Sequence, residues 1–239
     1  MAPSPPSSPP TTGPPNPADT HTSRPSLPLS FLVPLLTLLT LPFITLLTLV
    51  TAHWSPLLAF DRAIAATLHR TAVADPGLTQ ANKVFSDWIW DPWTFRTLLA
   101  VVVIALLRRK QWTLGCWVAG TAAAGTALQQ VLKAVVGRHR PVWPDPVDSA
   151  QYAAFPSGHA MTAAVAGGLA LWLLRLYGTR RRWLWCAASL TAVSVAGVGF
   201  TRVYLGVHWA TDVLGGWLLG AALVGIAAIT YSRRYGTRR

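Results

Sequence analysis

Three residues able to do nucleophilic chemistry stand close together in TRVYLGVHWATDVLGG, residues 201–216: Arg202, His208 and Asp212. They fall where one apolar run ends and the next begins. Ionisable groups at a membrane boundary are costly to desolvate, so they read as functional and call for named partners. His208 and Asp212 are four positions apart, and a helix starting near Val207 stacks them on one face. A carboxylate in that position holds one imidazole nitrogen as N–H and leaves the other as a lone-pair nucleophile. The plainer alternative is a capping His beside a snorkelling Asp, and this stretch alone does not choose between them.

Two further clusters sit at the ends of other apolar runs. KAVVGRHRP, residues 133–141, supplies Lys133, Arg138, His139 and Arg140; PSGH, residues 156–159, supplies Ser157, Gly158 and His159. Cations, a hydroxyl and the N–H groups of a helix start describe an anion site, in which planar guanidinium forks meet oxygens and backbone donors complete the cradle. Each cluster has a plainer reading alone, as an interfacial anchor or a capped helix start. Their joint placement on one membrane face is what those readings explain poorly. His53, His69 and His139 have no partner at matching spacing and read as interfacial or surface histidines.

The elements that must position these groups follow from composition. The chain has 239 residues, 52% hydrophobic and 12% charged, with 12 Trp. That composition describes a membrane protein, and its long uncharged runs an all-α one. The net charge of +12 is not a nucleic-acid signature, because the basic residues flank apolar runs. Residues 1–28 contain ten Pro and read as a disordered or extended tail, with no targeting signal in evidence. Residues 29–239 read as one membrane domain with spans near 29–51, 93–107, 112–136, 159–177, 183–200 and 209–231. Pro34 and Pro42 should kink the first span. In the segment 53–92, Phe60, Ile64 and Leu68 suggest a helix lying along the membrane surface, and Trp88, Trp90 and Trp93 an interfacial anchor. Cys116 and Cys186 read as small core residues, and Gly216 with Gly220 as a GxxxG packing face.

With the N-terminus inside, the cytoplasmic segments carry 12 of the 20 basic residues, while seven of the eight acids fall outside. The bias puts both termini in the cytoplasm and the three clusters on the extracytoplasmic side.

Lys133 with Arg140-Pro141 after six intervening residues, then Pro156-Ser157-Gly158-His159, then Arg202, His208 and Asp212 resembles the three-part signature of the type 2 phosphatidic acid phosphatase family. The signature spans residues 133–212, and the six-span layout extends it from about 30 to 231. One departure is Thr201, where the family usually has Ser; the hydroxyl is kept. The resemblance implies a six-transmembrane-helix bundle that hydrolyses lipid phosphate monoesters or diphosphates, phosphatidate-like or polyprenyl, without a metal or other cofactor. It implies His208 as nucleophile forming a phosphohistidine, Asp212 as its orienting carboxylate, and His159 as general acid and base. Lys133, Arg140, Ser157, Gly158 and Arg202 would hold the phosphoryl oxygens. The expected partners are the bilayer and its lipid phosphates, with no nucleic acid. Three other readings stand beside it: a lipid phosphotransferase using the same phosphohistidine, a vanadate-holding haloperoxidase, and a membrane anion transporter. Six apolar spans argue against the haloperoxidase, and charges at one edge rather than the midplane argue against the transporter.

Overall fold

The computed structural model describes residues 29–235. The Pro-rich segment 1–28 lies outside the described residues. Those described form eight α-helices and one π-helical turn, with no strand among them: α1 (Leu29–Thr51), α2 (Ser55–Ala74), α3 (Pro76–Val84), the π turn (Phe85–Ile89), α4 (Pro92–Arg108), α5 (Trp112–Val136), α6 (Gly158–Leu176), α7 (Arg181–Tyr204) and α8 (Ala210–Tyr235). The class is all-α, as the sequence implies.

Local chemistry sets the ends that matter. Asp91 caps α4 by accepting from the Trp93 backbone N–H at 2.6 Å, with Pro92 opening the helix. Asp75 likewise caps α3 through Leu78 N–H. α5 stops at Gly137, whose positive φ of 58° suits the residue without a Cβ. α1 runs through Pro34 and Pro42 as one helix, then turns by 93° into α2.

Four stretches are long and apolar enough to cross a membrane: Pro76–Arg108, α6, α7 and α8; the bent pair α1–α2 makes a fifth if taken as one span. The helices stand where the sequence places them, so six is an approximate count. α5 has the length but not the apolarity, because its inward face carries Thr121, Gln129 and Lys133 among glycines.

α6 is the central helix, packed against α4, α5, α7 and α8. Leu169 and Val118 are fully buried in the resulting core, with Met161, Leu173 and Val224 around them. Lipid is as apolar as leucine, so close approach rather than water exclusion must hold such helices together. The GxxxG face does this: a Cβ on Gly216 would lie 2.7 Å from the Ser157 carbonyl oxygen, and one on Gly220 would lie 2.9 Å from the Ala164 Cβ. That approach brings the start of α6 against the start of α8.

Several expectations need correcting. α2 does not rest on an outer apolar stripe: Phe60 is exposed, and the inward face is Asp61, Ala65, His69 and Ala72. Ile64 and Leu68 only flank it, half-buried against Val203 and Val213. The helix is turned because its polar residues have partners on α8 and on the loop after α5. His69 is therefore buried, stacked on Trp143 with ring centroids 4.1 Å apart, and not a surface histidine. Trp88 and Trp93 are exposed as an anchor would be, whereas Trp90 is tucked against Gly197 of α7. Cys116 and Cys186 are exposed on the outside of the bundle, not in its core.

Candidate active site

Each of the eight residues singled out from the sequence lies at one end of the bundle, around the starts of α6 and α8. Arg202 occupies the last turn of α7, and its carbonyl oxygen accepts from both Val207 and His208 N–H at 3.2 Å. Gly206, with φ of 70°, reverses the chain there, and its carbonyl accepts from Trp143 Nε1 at 3.0 Å. His208 is thus fixed in the α7–α8 turn and precedes α8, rather than lying inside a helix begun at Val207. Asp212 is in the first turn of α8 and reaches back to accept from Trp209 N–H at 2.9 Å, one half of a capping box. That reach puts its Oδ2 3.3 Å from His208 Nδ1. The four-residue spacing brings the pair together, though through a cap and not through a shared helical face.

The other nitrogen of His208 faces cations. Arg140 Nη1 lies 3.1 Å from His208 Nε2 and also donates to the Val207 carbonyl. The remaining donors of Arg140 bind the Tyr152 and Gln151 carbonyls at 2.9 Å each, so the guanidinium is held from the loop joining α5 to α6. Burial, reinforced by the Arg140, Arg202 and Lys133 charges, pushes the His208 imidazole well below its usual 6.5. A neutral ring with Nδ1 turned to Asp212 presents an Nε2 lone pair to the cationic pocket.

Lys133, in the last turn of α5, is buried and donates to the Ala153 carbonyl. Arg202 donates to Ser86 Oγ at 2.8 Å and stands 3.9 Å from Asp148 Oδ2. Ser157 is the N-cap of α6, and its own N–H donates to the Asp212 carbonyl at 2.9 Å. Two buried polar atoms here lack protein partners: Ser157 Oγ and Arg202 Nε. Buried polar groups are nearly always satisfied, so two orphans in one anion-attracting pocket point to a ligand oxygen. Gly158 admits the Gln129 side chain; a Cβ there would stand 2.7 Å from Gln129 Nε2. His159 lies in the first turn of α6, 3.9 Å from Asp91 Oδ1.

One assignment changes. Arg138, grouped with the anion-holding cations by sequence, faces away from them. It bonds Asp61 Oδ2 at 2.7 Å and Asp212 Oδ1 at 2.6 Å. The Thr201 hydroxyl, retained from the usual Ser, is buried and donates to the Val198 carbonyl of its own helix at 3.0 Å. Sequence reading missed Asp61, Thr211, Ser86 and Gln129 altogether. The available signal for Asp61 was a lone carboxylate in line with Ala65, His69 and Ala72 on one helical stripe. Among the described residues no three of His, Cys, Asp or Glu gather as a metal site.

Residues 114–235 match the PAP2 superfamily. The chain is 33% identical over 185 residues to the phosphatidylglycerophosphatase B of Bacillus subtilis, an alignment covering 70% of this chain and 89% of that protein. It is 29% identical over 149 residues to the undecaprenyl-diphosphatase of Sulfolobus acidocaldarius, covering 59% and 62%. The fold is similar to the crystal structure of a transmembrane PAP2 type phosphatidylglycerolphosphate phosphatase from Bacillus subtilis, with a TM-score of 0.73, 26% identity, and 85% and 98% of the two chains covered. The chain belongs to the PAP2 superfamily. Within it, this is a multi-pass membrane phosphatase, a phosphoric ester hydrolase.

Proposed function

We propose that this phosphatase acts on lipid phosphate monoesters or diphosphates of its own membrane, through a phosphohistidine on His208. The observation that carries this reading is the pocket itself. Neutral His208 Nε2 looks into a cradle of Lys133, Arg140 and Arg202, where Ser157 Oγ and Arg202 Nε have no protein partner. A phosphoryl group drawn in by the three cations has its phosphorus in line with Nε2. As the P–O bond to the lipid lengthens, charge spreads onto the equatorial oxygens, where fixed cations and the α6 N-terminus stabilise it most. Asp212 holds Nδ1–H and balances the positive ring that forms as the N–P bond is made. His159 gives a proton to the departing oxygen. In the second half-reaction it takes one from the attacking water, and phosphate leaves as the N–P bond breaks. Asp91 Oδ1 is the nearest carboxylate oxygen to His159 Nε2, at 3.9 Å.

The lipid class follows from where the pocket lies. The site is at one end of the apolar helices, at headgroup depth, so acyl or prenyl chains can stay in hydrocarbon while the phosphate enters. The Bacillus and Sulfolobus relatives are named for glycerophospholipid and polyprenyl diphosphate chemistry, and both classes are candidate substrates here. The distribution of basic residues supports an extracytoplasmic site with cytoplasmic termini. Phosphate release by the purified full chain from a panel of phosphatidate, phosphatidylglycerophosphate and undecaprenyl diphosphate tests the reading. Release from at least one lipid is expected, and release from none while soluble phosphate esters are turned over would contradict it.

A further inference from the structure

Beside the pocket runs a row of buried polar side chains from Asp61 to His208. Asp61 of α2, 1% exposed, accepts from Thr211 N–H at 3.0 Å, from the Thr211 hydroxyl at 2.5 Å and from Arg138 Nη2 at 2.7 Å. Arg138 Nη1 in turn donates to Thr211 Oγ1 at 2.7 Å and to Asp212 Oδ1 at 2.6 Å. Asp212, wholly buried, ends the row at His208. The Arg138 guanidinium also stands 5.7 Å from the Trp209 ring centroid. Two buried carboxylates thus share one guanidinium, with nearly equal contacts to each.

We propose that Asp61 and Arg138 are positioning residues that hold Asp212 and set how much of its negative charge reaches His208. This rests on His208 being the nucleophile. Asp61 fixes the first turn of α8 through Thr211 and occupies one edge of Arg138. The other edge alone meets Asp212, so the row carries one net negative charge next to the ring. Low-dielectric surroundings make that single charge count. Without Asp61, the whole Arg138 charge falls on Asp212, and the ring loses the counter-charge that favours both imidazolium and phosphoimidazole. Without Arg138, two unneutralised carboxylates press the ring the other way.

The opposing effects make the proposal separable from a purely structural role. The remaining charged groups facing His208 are Lys133 on α5, His159 on α6, Arg202 on α7 and Arg140 on the α5–α6 loop, with Asp87, Asp91 and Asp148 acting on Arg202. All of these stay constant across the variants. The experiment uses full-length enzyme in detergent, phosphatidate in mixed micelles, and kcat/KM measured against pH for the parent, Asp61→Asn, Arg138→Gln and the double variant. Asp61→Asn is expected to lower kcat by about tenfold or more, the effect of losing an outer partner of a functional histidine, with KM little changed. Its acid limb should move to lower pH, that of Arg138→Gln to higher pH, and the double variant should return toward the parent. Asp61→Glu should recover most of the lost kcat, and Arg138→Lys should leave the limb in place, so variants that retain charge decide the matter if the neutral ones do not fold. Acid limbs that stay put, or move the same way in both single variants, overturn the proposal. If His208→Ala keeps turnover in the same assay, it is the reading of the nucleophile that fails instead.

Discussion

Asp212 binds His208 with one oxygen and Arg138 with the other: Oδ2 lies 3.3 Å from the imidazole Nδ1 and Oδ1 lies 2.6 Å from the guanidinium Nη1. The carboxylate is therefore locked in plane and can only present Oδ2 to the ring. Asp212→Asn keeps the shape but can turn an amide N–H toward Nδ1, favouring the tautomer that protonates Nε2. A loss in kcat on the order of a thousandfold or more is expected, by analogy with the roughly 10⁴ cost of the same change behind a serine-protease histidine. Kinetics on the purified variant check this, and a loss below about tenfold would remove Asp212 from its orienting role.

The depressed proton affinity of His208 gives a pH dependence with a definite sign. Its folded state favours the neutral ring, so the nucleophile stays available well below pH 6.5. The same shift means that the unfolded chain binds the proton more readily. Stability from this group is then fully present above about pH 6.5 and is lost as pH falls below it. Lys133→Ala removes one of the cations responsible, and the acid limb of kcat/KM should move to higher pH. An unmoved limb with activity still measurable would contradict the assigned cause.

The approach of α8 to α6 at Gly216 sets the relation between the two halves of the pocket. Gly216→Ala puts a methyl group 2.7 Å from the Ser157 carbonyl and 3.0 Å from Met161 N, both backbone atoms that cannot swing aside. A stability loss of about 1–3 kcal/mol is expected from overpacking, with a larger proportional loss of kcat because Ser157 and His159 move with α6. Thermal unfolding in detergent and single-variant kinetics read the two effects. An unchanged Tm together with full activity would show that the helices have slack there.

In the proposed mechanism Lys133, Arg140 and Arg202 take the place that a metal has in other phosphoryl-transfer sites. Chelating agents are expected to leave phosphate release near its full rate, measured on enzyme passed through a chelating column. A strict requirement for added Mg²⁺ would contradict the mechanism.

Orientation is testable by a Cys introduced at Asp145, in the loop between α5 and α6. In a background with Cys116 and Cys186 replaced, an impermeant thiol reagent should label it from outside intact cells. Labelling from the cytoplasmic side alone would invert the proposed topology.

Sequence made the cation- and histidine-bearing half of the site legible because its residues sit in three short segments, each at a span end. The helices were legible for the same reason that membranes constrain sequences: long uncharged runs have few alternatives. What escaped was the layer behind. Asp61 lies 151 positions before Asp212, on a helix whose inward stripe is more polar than its outer one, so apolar periodicity pointed to the wrong face. Arg138 is two residues from Arg140, and spacing cannot tell which of two neighbouring guanidinium groups turns toward phosphate and which toward carboxylate.

Trapping the intermediate tests the central claim most directly. Enzyme mixed with radiolabelled lipid phosphate and quenched in alkali should retain label that is released by acid, as a phosphoramidate is. Peptide mapping should place it on His208, with His208→Ala carrying none. His159→Ala should still become labelled when the leaving group is a good one, since less protonation is then needed. Label absent from parent enzyme under turnover, or present on His159 with His208→Ala still active, would contradict the account.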